Sequence, residues 1–165
     1  MHELQYITAI VNVPSILRHG ILSYRRAARI PHESVAMPEV QDRRSGKAVP
    51  GGRPLHDYVN LYFSARNPML YKRRDHHPDL CVLRVSPDVL DLPEVVIADG
   101  NAASAYTAFW PSPAGLGKVD KDLVFAEYWT DPDGIQQMRK ARAKCAEVLV
   151  PEFSVAINAH LFFRG

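Results

Sequence analysis

The chain has 165 residues, enough for one domain (residues 1–165) that buries roughly two-thirds of its unfolded surface without disulfide staples. Hydrophobic and charged contents of 47% and 23% are ordinary globular values. With no apolar run of membrane-spanning length and no basic-then-apolar leader, a cytoplasmic protein with no membrane segment is expected. A net charge of only +2 rules out binding through bulk charge, yet residues 18–53 hold eight Lys or Arg against three acids. Such a segment can take a polyanion locally, or can simply be a solvated loop.

Leu4 to Ile10 reads as a first strand. Asn12 to Gly20 reads as a short helix, with Asn12 as cap, Pro14 in the first turn and Gly20 at the left-handed exit. Ser23 to Pro54 shows little periodicity and is expected to be a long, Arg-rich loop for substrate. Tyr58 to Ser64 is a strand, and Pro68 to Tyr71 begins a helical turn. The polar turn Arg73–Pro78 contains His76 and His77, which lack the further spaced ligands a metal needs. Leu80 to Val85 and Glu94 to Ala98 are strands, and Asp99-Gly100-Asn101 is a turn. Ala102 to Phe109 suits a helix, and Pro111 to Gly117 a loop. Asp120 is positioned to cap a helix through Trp129, and Thr130–Asp133 to cap another running to about Lys144. Val148-Leu149-Val150 belongs to a strand, and Val155 to Phe163 to a last one. The class is α+β.

In the strand around residue 147, side chains alternate, so Cys145, Glu147 and Leu149 share one face. A carboxylate in an apolar strand either points to solvent at an edge or meets a partner or ligand. The two cysteines, Cys81 and Cys145, have no metal-type spacing and read as buried thiols. No Walker or Rossmann glycine loop is present, nor a nucleophile elbow or a serine or cysteine triad beside His56-Asp57. Kinase, dehydrogenase and hydrolase chemistries are therefore disfavoured.

Tyr6-Ile7-Thr8 with Asn12 to Leu17, Leu55-His56-Asp57-Tyr58-Val59 with Tyr62-Phe63, and Arg66 to Tyr71 form a series of blocks. Asp99 to Ala103, Tyr128-Trp129 and Ala146 to Pro151 follow them. In residues and in order, these blocks resemble the DarT family of DNA ADP-ribosyltransferase toxins. The resemblance implies an ADP-ribosyltransferase-like fold with a split, mixed β core and peripheral short helices. It also implies NAD as co-substrate, with transfer of ADP-ribose to a thymine or guanine base in single-stranded DNA. Glu147 matches the catalytic Glu, which stabilises oxocarbenium-like charge at the ribose. Arg43 matches the arginine near the reacting base, with Arg44 as the alternative register. Tyr6, Thr8, Asn12, Ser15, Tyr62, Met69 and Tyr71 are the candidate NAD contacts; Tyr6 stands where family members usually carry His. Asn12 and Ser15 equally suit helix capping. Arg44, Lys47, Arg53 and Arg66 are the candidate DNA contacts, and Tyr24 and Tyr106 candidate stacking rings. The resemblance also implies an antitoxin that strips ADP-ribose, a macrodomain or similar; no metal is expected, and a monomer is expected. An RNA or protein ADP-ribosyltransferase, and an inactive nucleic-acid-binding domain, are the rival readings.

Overall fold

A computed structural model describes residues 3–151. The strands are β1 (Leu4–Ala9), β2 (Tyr58–Tyr62), β3 (Leu80–Val85), β4 (Val96–Ala98), β5 (Phe109–Pro111) and β6 (Glu147–Pro151). They form one sheet in the order β3-β1-β2-β6-β4-β5. The helices are α1 (Val13–His19), α2 (Tyr24–Ala27), α3 (Pro38–Ser45), α4 (Pro68–Lys72), α5 (Lys121–Phe125) and α6 (Gly134–Lys144). The α+β class holds. Where the resemblance implied a mixed core, every strand pairing among the described residues is antiparallel.

The β-branched, apolar β6 sits between β2 and β4. Its Val148 and Val150 join Leu4, Val59, Leu61, Val85 and Ile97 in the main core, where none is more than 2% exposed. Each such side chain contributes roughly 1.5–3 kcal/mol by leaving water. The alternate residues Glu147 and Leu149 face the other way, and Leu149 packs in a separate cluster with Leu55, Tyr58 and Ala98.

The sheet is split between β1 and β2. Six register pairs tie β1 to β3, but β1 meets β2 at the one pair Gln5↔Tyr62. The Ala65 N–H donates to Gln5 Oε1 just beyond β2. Past this point the strands diverge, and the gap becomes the cleft described below.

Capping chemistry follows the sequence in several places. Asp120 accepts from the Leu123 N–H at 3.0 Å, and Asp133 from the Ile135 N–H at 2.8 Å. Gly20 ends α1 at φ 78°, and its N–H donates to the Ile16 carbonyl. Four expectations need correction. Asn12 does not cap α1 with its side chain, because a tertiary partner takes it. The Ser23–Pro54 stretch contains α2 and α3, so Arg43 and Arg44 lie on a helix. Ala102 to Phe109 is not a helix, and the helix begun at Lys121 ends at Phe125, short of Trp129. The expected strand Val155–Phe163 lies outside the described residues.

Candidate active site

Glu147 opens β6 opposite Tyr62 and Ala98, in the middle of the sheet, and is 1% exposed. The solvent-facing edge reading is therefore overturned. A carboxylate so deep needs donors. Arg44 Nη1 straddles it, at 3.3 Å from Oε1 and 3.2 Å from Oε2. The Ala102 N–H adds a third bond to Oε1 at 3.1 Å. Arg44 is itself 6% exposed, at the C-terminal turn of α3 where the helix dipole favours a cation.

The Ala102 N–H is aimed by a second network. Asp99 Oδ1 accepts from Arg142 Nη1 at 2.9 Å, and the Asn101 N–H donates to the Arg142 carbonyl at 3.0 Å. Arg142 packs directly over Gly100: a Cβ there would stand 2.4 Å from its Nη1 and 2.9 Å from its Cγ and would push the arginine aside.

A cavity of about 200 Å³ lies before Glu147, in the split between β1 and β2. Tyr6, Thr8, Asn12, Tyr62 and Met69 line it, together with Glu147, Arg43 and Arg44. Burial pushes the Tyr6 phenol up to about 12. Burial, and then the charge of Glu147, raise Tyr62 well above the ordinary phenol value. Both phenols therefore stay neutral and keep a proton to donate at neutral pH. Cys145 also borders the cavity; burial, and then Glu147, push its thiol up to about 12, so it is no thiolate nucleophile.

Residues 32–37 form the roof. Asn12 clamps them in both directions: its Nδ2 donates to the Glu33 carbonyl at 2.7 Å, and its Oδ1 accepts from the Glu33 N–H at 2.9 Å. The same Nδ2 donates to Thr8 Oγ1 at 3.2 Å, tying roof to strand. From the other side, Arg73 donates to the carbonyls of Val35 and Ala36 at 3.0 and 2.6 Å. At the rim, Tyr24 stacks on His56 with ring centroids 4.2 Å apart, and His56 Nε2 lies 3.0 Å from Gln41 Oε1. Burial, and then the charges of Arg44 and Arg25, lower the His56 pKa, which keeps the ring neutral at neutral pH.

The other sequence candidates go elsewhere. Arg43 lines the rim, exposed, while its neighbour Arg44 reaches the carboxylate. Arg44 thus leaves the DNA-contact group, since a buried carboxylate holds it. Lys47 Nζ is occupied by the Ser104 carbonyl and lies 5.2 Å from the Phe109 ring centre. Arg53 pairs with Glu94 at 2.8 Å, outside the cleft. Ser15 is half-buried on α1 and does not line the cavity. Arg66 and Tyr71 line a different groove beyond α4, and Tyr106 is an exposed ring outside both. Sequence reasoning missed Ala102, which acts through its backbone N–H, and Arg73 and Arg142, whose guanidinium groups hold partners remote in sequence. Among the described residues, no cluster of His, Cys, Asp and Glu is arranged to hold a metal.

Residues 5–156 match the family model described as "ssDNA thymidine ADP-ribosyltransferase, DarT". A DNA ADP-ribosyl transferase–DNA ADP-ribosyl glycohydrolase fusion protein of Thermosipho africanus is 37% identical over 161 residues. That alignment takes in 91% of this chain but only 39% of the fusion protein. The solved structure of Thermus sp. 2.9 DarT in complex with ADP-ribosylated ssDNA superposes with a TM-score of 0.77 at 28% identity, covering 92% of this chain and 75% of that one. The same Thermus protein in complex with NAD+ gives a TM-score of 0.72 at 26% identity, over 92% and 75% of the two chains.

Proposed function

We propose, because this chain belongs to the DarT family, that it transfers ADP-ribose from NAD to a thymidine base of single-stranded DNA. The observation that carries this reading is the buried Glu147 carboxylate, fixed by Arg44 and the Ala102 N–H at the floor of a cavity in the split sheet. The bond between nicotinamide and the ribose C1′ breaks, and nicotinamide departs with the electron pair. Positive charge then builds on the ribose, and a carboxylate held in advance stabilises it without reorganisation. The thymidine N3, its one ring N–H, attacks C1′ and gives its proton to solvent. Arg44 orients Glu147, and Arg43, exposed at the rim, is the cation that meets the DNA base. Tyr6, Thr8, Tyr62 and Met69 hold the NAD side of the cleft, and Asn12 acts by shaping its roof.

The Thermosipho relative joins a transferase to a DNA ADP-ribosyl glycohydrolase. By analogy, a glycohydrolase that removes the mark is the partner, in a toxin–antitoxin pair. The chain acts as a cytoplasmic monomer in this reading. Among the described residues, no helix is long and apolar enough to cross a membrane.

The test is NAD turnover with single-stranded oligonucleotides that each carry one kind of target base, followed by mass spectrometry of the DNA. The expected result is a gain of one ADP-ribose on the thymidine strand, reduced at least about a hundredfold by Glu147→Gln, which keeps shape but loses charge. A guanine adduct alone would change the substrate. Labelled RNA or protein with no DNA adduct would overturn the DNA reading, and no turnover at all would leave a binding domain.

A further inference from the structure

A second concavity lies beside the cleft, across α4. Tyr62 pairs with both Gln5 and Glu147, and Gln5 pairs with Arg84. Arg84, Gln5, Tyr62 and Glu147 therefore form one transverse row on the same face of the sheet. The cleft covers the Tyr62–Glu147 end of that row, and a groove of about 1170 Å³ covers the Gln5–Arg84 end. The helix α4 is the shared wall: Met69 and Lys72 border the cleft, and Leu70 and Tyr71 the groove. Three inter-strand spacings, roughly 14 Å, separate Arg84 from Glu147.

The groove alternates aromatic rings with guanidinium groups. Tyr71 is 56% exposed, edge-on to Trp129 with centroids 5.7 Å apart. Arg74 lies 4.7 Å from the Tyr71 ring centre, and Arg66 lies 5.9 Å from that of Tyr128, which is 67% exposed. Two carboxylates also line it, Glu3 paired with Arg84 and Glu127 with Arg66. These pairs temper the positive charge. Flat apolar faces beside cations are what an unpaired nucleic-acid strand requires, faces for its bases and charge for its phosphates. The chemistry at Glu147 uses none of these groups.

We propose that this groove binds nucleotides flanking the target base on the same DNA strand. One base stacks on the exposed Tyr128 ring beside the Tyr71–Trp129 pair, and Arg74 and Arg66 take phosphates. Lys72, exposed on α4, guides the strand between the two hollows. The proposal rests on the DNA reading given above and adds a direction to it: the strand runs from the cleft over α4 towards β3.

The test uses the whole chain and single-stranded oligonucleotides bearing one thymidine, either as a trinucleotide or extended on one side or the other. Initial rates and fluorescence anisotropy are measured for wild type, Tyr128→Ala and Arg74→Ala. Extension on one side only is expected to lower the DNA KM about tenfold, the order of one base–aromatic stack. Both variants should remove that gain while modifying the trinucleotide at the wild-type rate. Equal KM for short and long strands in the wild type would overturn the groove, as would variants that slow both alike. If wild type modifies no DNA, the function reading fails, and anisotropy decides the groove by itself. A long strand bound about tenfold more weakly by Tyr128→Ala supports it; unchanged binding overturns it.

Discussion

Removing the cation at position 44 would leave a carboxylate buried with no counter-charge. Arg44 and Glu147 have side chains only 7% and 2% exposed, so water cannot substitute for the missing partner. Arg44→Met is expected to destabilise the fold by about 3–5 kcal/mol in urea unfolding, the usual cost of breaking a buried pair. Arg44→Met combined with Glu147→Gln should recover most of that loss, because a neutral amide no longer demands the cation and its oxygen still meets the Ala102 N–H. Two single variants whose costs simply add would show that the pair is not coupled. Glu147 stood out in the sequence as a lone acid in an apolar strand, but its role came from the family resemblance, because the strand alone left a solvent-facing edge open. Arg44 was not assigned to it: 103 residues separate the partners, and only the fold decides which of two adjacent arginines turns inward.

At the level of elements, the roof over the cleft is a strap without regular structure, pinned at one end by Asn12 and at the other by Arg73. Arg73→Ala releases the Arg73 end. Hydrogen exchange at residues 33–37 should quicken, and the KM for NAD should rise about five- to tenfold, with kcat changed less. An unaltered exchange rate would mean the strap is held by something else. The sequence predicted elements well where the local signals agreed. The strand at Leu80–Val85 appeared with the expected bounds, and Asp133 caps α6 as expected. It failed at Ala102–Phe109, a stretch that is half alanine. There the side chains of Asn101 and Asp99 accept from the N–H groups of Ala103 and Ala108, and the Thr107 hydroxyl donates to the Asn101 carbonyl. These local bonds compete with the helix ladder, and the Ala102 N–H is drawn to Glu147 instead.

For the molecule as a whole, the buried acids set an alkaline limit. Cys145 loses its proton near 9 in the unfolded chain but only at about 12 in the folded one, because burial and then Glu147 oppose the thiolate. Tyr6 moves the same way, from 10.0 to about 12. Between these values the native state binds more protons than the unfolded state, so stability falls as pH rises above 9. The slope is about 1.4 kcal/mol per pH unit for each group fully engaged. Urea unfolding from pH 8 to 10.5 should show the decline, and Cys145→Ala should flatten it. An equal slope in the variant would sever the link to that thiol.

The one-pair junction between β1 and β2 also divides the sheet mechanically. The β1–β3 leaf is laced along six register pairs and stitched to its neighbour by one. A tilt of the leaf about Gln5 alters the gap between Thr8 and Glu147, yet leaves every rung among β2, β6 and β4 in place. One jaw of the mouth thus hangs on a single rung, while the strand that carries the carboxylate has rungs on both sides.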